Sequence, residues 1–333
     1  MQRQQQLTQW LHSQFPHEPF TIAPASADAS FRRYFRATFS DRSLIVMDAP
    51  PQHEDCRPFL HVAKLFGNAG THVPQVYAQD MEQGFLLLSD LGNTTYLQAL
   101  SDGNADTVRN LYGAATDALI KIQLATRENE LPPYNEAMLL REMRLFPEWY
   151  IAKHLNVTLN DAQNAKLETV FARILANNLA QPCVYVHRDY HSRNLMLTEP
   201  NPGIIDFQDA VYGPITYDLA SLFKDAYIRW EEAQVIDWLI RYWEKARTAG
   251  LPVADDFSVF YRDYEWMGVQ RHLKVLGIFA RLYHRDGKDG YLKDLPRVMT
   301  YLRAACARYI DLKPLLNLLD TLEPQEKQMG YTF

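Results

Sequence analysis

Residues 187–208 read HRDYHSRNLMLTEPNPGIIDFQ, and the reading of the fold turns on this stretch. Asp189 stands in a polar run, Asn194 follows five positions on, and Asp206 closes the apolar run Gly203-Ile204-Ile205. Transfer of a phosphoryl group from a nucleotide asks for these parts in this order. A carboxylate receives or orients the acceptor hydroxyl, and an amide oxygen and a second carboxylate hold magnesium on the phosphates. A lone HxD would carry little. HRDxxxxN followed at short range by a strand ending in Asp-Phe is specific, because three roles match at once.

Outward from this stretch, the chain divides into two kinds of pattern. Before it, residues 1–15 have helical spacing (Leu7, Trp10, Leu11, Phe15). Short β-type runs follow at 20–24, 30–39 and 43–48, then helical spacing at 55–69, then runs at 74–79 and 84–89. The β-rich part closes at the turn-like Asp90-Leu91-Gly92-Asn93. From Thr94 the spacing predicts helices over 94–101, 105–126, 135–154, 160–178, 215–229, 231–249, 257–284 and 295–320, the last broken near Pro314. The runs 183–186, 195–197 and 203–205 read as small strands flanking the polar loop. The expected class is α+β and bilobal. A nucleotide-binding lobe of residues 1–90 precedes a mostly helical lobe of residues 91–333 that carries the loop and the acceptor site, with a nucleotide in the cleft between them.

The bulk numbers exclude several alternatives. The 333 residues are 47% hydrophobic and 22% charged, enough for a large core. A formal charge of -6 argues against a nucleic-acid partner. Cys56, Cys183 and Cys306 are odd in number, far apart and free of CxxC spacing, which fits a reducing compartment rather than a disulfide framework or zinc site. The polar beginning MQRQQQLTQWLHSQF has no signal-peptide core, and no apolar run reaches the ~20 residues that span a bilayer. A cytoplasmic protein acting on a small molecule is expected, with no membrane partner; the sequence sets no oligomeric state.

The motifs HRDYHSRN (187–194), GIIDFQDAVYGPITYDLASL (203–222) and FLLLSDLG (85–92) resemble those of the aminoglycoside phosphotransferase-like branch of the protein-kinase-like superfamily, over nearly the whole chain. ASFRRYFRATF (29–39), VMDAPP (46–51) and QRHLKVLGIFARL (270–282) are similar to the bacterial sugar kinases of cell-wall recycling. That resemblance implies the protein-kinase-like fold, ATP and Mg2+, and phosphorylation of the anomeric hydroxyl of N-acetylmuramate and N-acetylglucosamine. Another hydroxyl acceptor (aminoglycoside, choline, homoserine) and a pseudokinase scaffold are the alternatives. It also implies that Asp218 braces the loop by accepting backbone N–H bonds.

The candidate site residues follow. Asp189 is the catalytic base, and Asn194 and Asp206 are the magnesium ligands. His187 is read as a structural brace. Arg193 either neutralises the transferring group or is a solvated cation. Ser89 and Leu91 fall in the hinge, where backbone groups would meet the adenine edge. The phosphate-covering loop, Ala25-Ser26-Ala27-Asp28-Ala29-Ser30, has no glycine, and Met47 stands where kinases carry a strand lysine. Ser30 is a candidate donor there. Arg32, Arg33 and Arg36 are candidate replacements for the lysine, with Arg33 favoured because it shares parity with Phe31, Phe35 and Phe39 on a presumed cleft face. For the acceptor, Arg271 and Lys274 share a helical face that suits an anionic sugar, and Glu142, Trp149 and Tyr150 are candidate sugar contacts. A solvated helix face and a packed core are the plainer readings of these two groups.

Overall fold

The computed structural model describes residues 2–27, 31–101 and 103–323. In chain order it runs α1 (Gln2–Gln14), β1 (Thr21–Ala27), β2 (Arg33–Thr38), β3 (Ser43–Asp48), α2 (Cys56–Asn68), β4 (Val76–Asp80) and β5 (Phe85–Ser89). Then come α3 (Tyr96–Ser101), α4 (Ala105–Leu124), α5 (Glu136–Leu145), a π-helix (Phe146–His154) and α6 (Asp161–Leu179). Four short strands follow: β6 (Cys183–Val186), β7 (Leu195–Met196), β8 (Gly203–Ile204) and β9 (Val211–Pro214). The chain finishes with α7 (Tyr217–Phe223), α8 (Glu232–Thr248), α9 (Phe257–Asp286), α10 (Leu295–Arg308) and α11 (Lys313–Leu322), with short 3-10 turns before α10 and α11.

Contacts group these elements into two compact units. The first is Met1–Ala125 together with Arg193–Ala210, and the second is Thr126–Ser192 together with Val211–Phe333. The division expected at residues 90 and 91 differs from this grouping: α3, α4 and the β7–β8 hairpin go with the first unit.

The first unit is built on a five-stranded antiparallel sheet in the order β1-β2-β3-β5-β4. Alternation along β2 puts Phe35 and Ala37 inward, where they pack with Val46 and Leu87 of the neighbouring strands and with Leu7, Trp10 and Leu11 of α1. One face of the sheet is thus sealed by the first helix. The interior strand β5 has no alternation, because Phe85, Leu86, Leu87 and Leu88 are buried on both faces. In α2, Phe59, Val62, Ala63 and Phe66 form one buried stripe.

The second unit is organised around α9, a 30-residue helix capped by Gly287 in the left-handed conformation. Helices α5, α6, α7 and α10 and the π-helix pack on it. Two helices read as continuous are interrupted. The expected helix 135–154 changes to π geometry at Phe146, where Pro147 withholds an N–H from the ladder. The expected helix 295–320 breaks at Tyr309, earlier than Pro314, which sits in the first turn of α11 and is tolerated there. The expected 215–229 helix shortens to α7. At Gly277 the backbone of α9 approaches the end of α5 so closely that a Cβ would lie 2.3 Å from the Leu145 carbonyl carbon. Backbone cannot yield as a side-chain tip can. Gly277→Ala is therefore expected to destabilise the protein by about 3 kcal/mol, read by urea denaturation; a loss under about 1 kcal/mol would show that the helices part without strain.

Candidate active site

In the second unit, β6 pairs antiparallel with β9 and delivers the loop that carries Asp189. Arg188 enters it at φ 77, a left-handed conformation costly for a residue with a side chain. Asp218, in the first turn of α7, holds this bend. Its Oδ2 accepts the His187 N–H at 2.7 Å and its Oδ1 accepts the Arg188 N–H at 3.1 Å. Burial pushes the Asp218 carboxyl up to about 7, against both N–H bonds, which favour its charged form. The Asp189 N–H donates to His187 Nδ1 at 3.2 Å, so His187 is the structural brace expected of it. The far end of the loop is fastened by Asp225, whose Oδ2 accepts from Ser192 N–H (2.9 Å) and Oγ (2.5 Å) while its Oδ1 accepts the Tyr227 N–H (2.8 Å). Asp225 has no motif spacing that marks it in the sequence.

The Asp189 side chain is 44% exposed, and its Oδ1 lies 3.9 Å from Nη2 of Arg271. Burial of the surrounding site would raise its pKa, but Lys274, His191, Arg271 and Arg188 outweigh that and hold the carboxyl well below the usual carboxylate range. Asp189 is therefore ionised at neutral pH. It is suited to accept a hydrogen bond from a hydroxyl and orient it, rather than to act as a strong base.

Beneath the loop lies a buried ionic cluster. Glu142 of α5 accepts from Arg188 Nη2 at 2.6 Å, lies 3.1 Å from Lys274 Nζ, and accepts from Gln270 Nε2 at 3.2 Å and from the Tyr134 hydroxyl. Lys274 also donates to the Tyr217 hydroxyl at 3.0 Å. Glu142 is thus engaged by four groups of the protein itself. Tyr150 is buried between Phe146 and His154 and donates to Glu323 at 2.7 Å, the packed-core alternative. Arg271 and Lys274 are both buried, so the solvated-face reading is set aside.

In the first unit, Asn194 and Asp206 flank the β7–β8 hairpin. The Ile205 N–H donates to the Asn194 carbonyl at 3.1 Å, and Asn194 Nδ2 donates to Asp206 Oδ2 at 3.3 Å. Asp206 has φ 63, and Gln208 Nε2 donates to its Oδ1 at 2.8 Å. The next residue fixes this bend: Phe207 is fully buried, with its ring 4.9 Å from Phe59 and 5.9 Å from Phe66 of α2. One amide oxygen and one carboxylate side by side suit Mg2+, a hard cation that keeps most of its positions for phosphate and water. Among the described residues no three His, Cys, Asp or Glu side chains are grouped to hold a metal ion. Arg193 is half-buried at the start of this segment.

The candidate hinge residues lie beside this hairpin. Leu91 packs so closely on Gly203 that a Cβ there would sit 3.0 Å from Leu91 Cδ1, which is why glycine opens β8. Ser89 is tied to the residue before β4, its N–H donating to the Gln75 carbonyl and its Oγ accepting the Gln75 N–H. Asp90 locks the turn: it accepts from Arg36, from Ser43 Oγ at 2.7 Å and from the Gly92 N–H at 2.9 Å. Burial opposes its ionisation, but Arg36, Ser43 and Gly92 together lower its pKa. Ser30 lies outside the described residues. The face that Arg33 shares with Phe35 and Phe39 is packed against α1 and is not the cleft face expected. Phe35 and Phe39 face α1, and Arg33 pairs with the buried Asp48, which Arg3 also contacts at 2.9 Å. Met47 is buried, with no cation in its place on the strand.

A five-stranded sheet, a strained Asp before phenylalanine, and a doubly clamped HRD loop on a helical unit together define a kinase-like phosphotransferase. The chain belongs to the phosphotransferase enzyme family, whose pattern it matches over residues 21–255. It is 52% identical to the N-acetylmuramate/N-acetylglucosamine kinase of Neisseria meningitidis serogroup B, over 100% of both chains. It is 53% identical to the Pseudomonas aeruginosa protein of that name, covering 96% of this chain and 97% of the other. A choline kinase from Streptococcus pneumoniae shares the fold with TM-score 0.62 at 13% identity, covering 93% of this chain and 100% of that one.

Proposed function

We propose that this enzyme transfers the γ-phosphoryl group of ATP to the C1 hydroxyl of N-acetylmuramate and N-acetylglucosamine, giving sugar 1-phosphates for peptidoglycan recycling. The observation that carries the choice of acceptor is the full-length similarity, at 52% and 53% identity, to two kinases named for those sugars. Nucleotide binding falls to the first unit, which takes in the 1–90 span, with the hinge at Ser89 and Leu91 and the phosphate side at Ser30 and Arg193. Acceptor binding falls to the second unit, within the 91–333 span. No helix among the described residues is long and apolar enough to cross a membrane, and Cys56, Cys183 and Cys306 are free. Both fit action in the cytoplasm.

In this reading Asp189 orients the C1 hydroxyl and takes its proton as the new O–P bond forms and the bond to ADP breaks. Asp218 and Asp225 keep the loop from moving while it does so. Asn194 and Asp206 would hold Mg2+, which supplies charge neutralisation on the phosphates when bound. Asp206→Asn is expected to raise the Mg2+ concentration for half-maximal rate by at least about tenfold. An unchanged Mg2+ titration would remove Asp206 from that role.

A coupled ADP-release assay over N-acetylmuramate, N-acetylglucosamine, an aminoglycoside, choline and homoserine tests the acceptor. Turnover is expected with the two amino sugars, with loss of the reducing end as the 1-phosphate forms. Turnover of another acceptor alone would overturn the assignment.

A further inference from the structure

The cations around Asp189 differ in what they have left to bind. Lys274 lies 3.1 Å from Glu142 and donates to Tyr217, and Arg188 donates to Glu142 at 2.6 Å. Both share the Glu142 carboxylate inside the cluster. Arg271 stands one turn before Lys274 on α9, with a side chain only 3% exposed. Its ion-pair partner Asp189 is 3.9 Å from Nη2, too far for a hydrogen bond. Its Nε and Nη1 have no hydrogen-bond partner among the described residues. A buried guanidinium with open donors is an unfavourable state that an oxygen anion relieves, and the planar fork of arginine matches a carboxylate.

We propose that Arg271 is the specificity-determining residue of the acceptor site and binds the lactyl carboxylate of N-acetylmuramate. This rests on the proposed acceptor class and deepens it. The reach allows it: the separation of 3.9 Å with a hydrogen bond of about 2.8 Å at each end sets an upper limit on the span, and the path from O1 through C1, C2, C3 and the lactyl ether to the carboxylate fits within it. A sugar whose C1 hydroxyl meets Asp189 thereby presents its carboxylate to Arg271. N-Acetylglucosamine lacks that carboxylate and leaves the guanidinium unanswered, so the enzyme favours the acidic sugar. Lys274 already lies against Glu142 and the Tyr217 hydroxyl, so the planar fork of Arg271 carries this contact.

The test compares kcat/KM for the two sugars in wild type, Arg271→Gln and Arg271→Lys. The ratio of N-acetylmuramate to N-acetylglucosamine is expected to fall by about 10- to 100-fold in Arg271→Gln, chiefly through KM for the acidic sugar. Arg271→Lys keeps the charge but loses the fork, and its ratio is expected to lie between the two. A ratio that stays constant while both efficiencies fall would mean that Arg271 serves Asp189 alone, and would overturn the proposal. If Arg271→Gln is inactive, the Arg271→Lys ratio decides in the same way, and an ADP titration shows whether the variant is folded. Failure of the wild type to turn over either sugar would instead reject the acceptor class, a result read before any variant is made.

Discussion

Asp189→Asn is expected to lower kcat by about 10²- to 10⁴-fold while ADP affinity changes by no more than about threefold. The substitution keeps the shape and removes the charge. The loop should survive it, because the loop is held by Asp218 at His187 and Arg188 and by Asp225 at Ser192, not by the Asp189 carboxylate. Lys274, His191, Arg271 and Arg188 keep the wild-type carboxyl ionised far below neutrality, against the effect of burial. An acid limb in the rate profile near neutral pH would therefore belong to another group. Steady-state kinetics and an ADP titration check the prediction together. Undiminished kcat would remove Asp189 from the chemistry and return the chain to the scaffold reading.

Glu142→Gln is expected to cost about 3–5 kcal/mol of stability at pH 7. The carboxylate is the shared counter-charge for Arg188 and Lys274, both largely buried, and an amide leaves two cations in low dielectric without it. Burial would raise the Glu142 carboxyl, but Lys274 and Arg188 outweigh it, so the folded-state value lies below the ordinary 4.5. A depressed carboxylate contributes stability that is present above its unfolded value and is lost as pH falls through its folded value. The gap between wild type and Glu142→Gln should thus be full at pH 7 and shrink below about pH 4. Urea denaturation at the two pH values reads it. A gap that is absent at pH 7, or unchanged in acid, would show that the cluster does not depend on this charge.

The parts of the molecule that were legible in the sequence are those whose chemistry is local. Asp189 and Asn194 sit five residues apart, and Asp206 terminates its own apolar run, so the pattern that makes them candidates lies within one short stretch. Strand and helix positions followed from periodicity for the same reason. Contacts between distant stretches were not legible. Alternation in β2 puts Phe35 and Phe39 on one face, yet it does not say that α1 covers that face, and so it points to Arg33 as a phosphate contact. Glu142 meets Arg188 and Lys274 across 46 and 132 positions of chain, and no window of sequence holds all three. Asp225 clamps Ser192 from 33 residues away with no motif to mark it. The π-helix had a local cue in Pro147, but a proline in a first turn and a proline that alters the ladder look alike on paper.

The first unit takes its last piece, Arg193–Ala210, from far down the chain. On a ribosome the amino-terminal sheet therefore emerges long before Phe207, the aromatic that fills the space beside Phe59 and Phe66. At about 5–20 residues per second, the wait between Ala125 and Ala210 is about 4 to 17 s. Through that interval a nascent polypeptide carries an unfinished apolar surface, a target for chaperones that a contiguous domain would not offer.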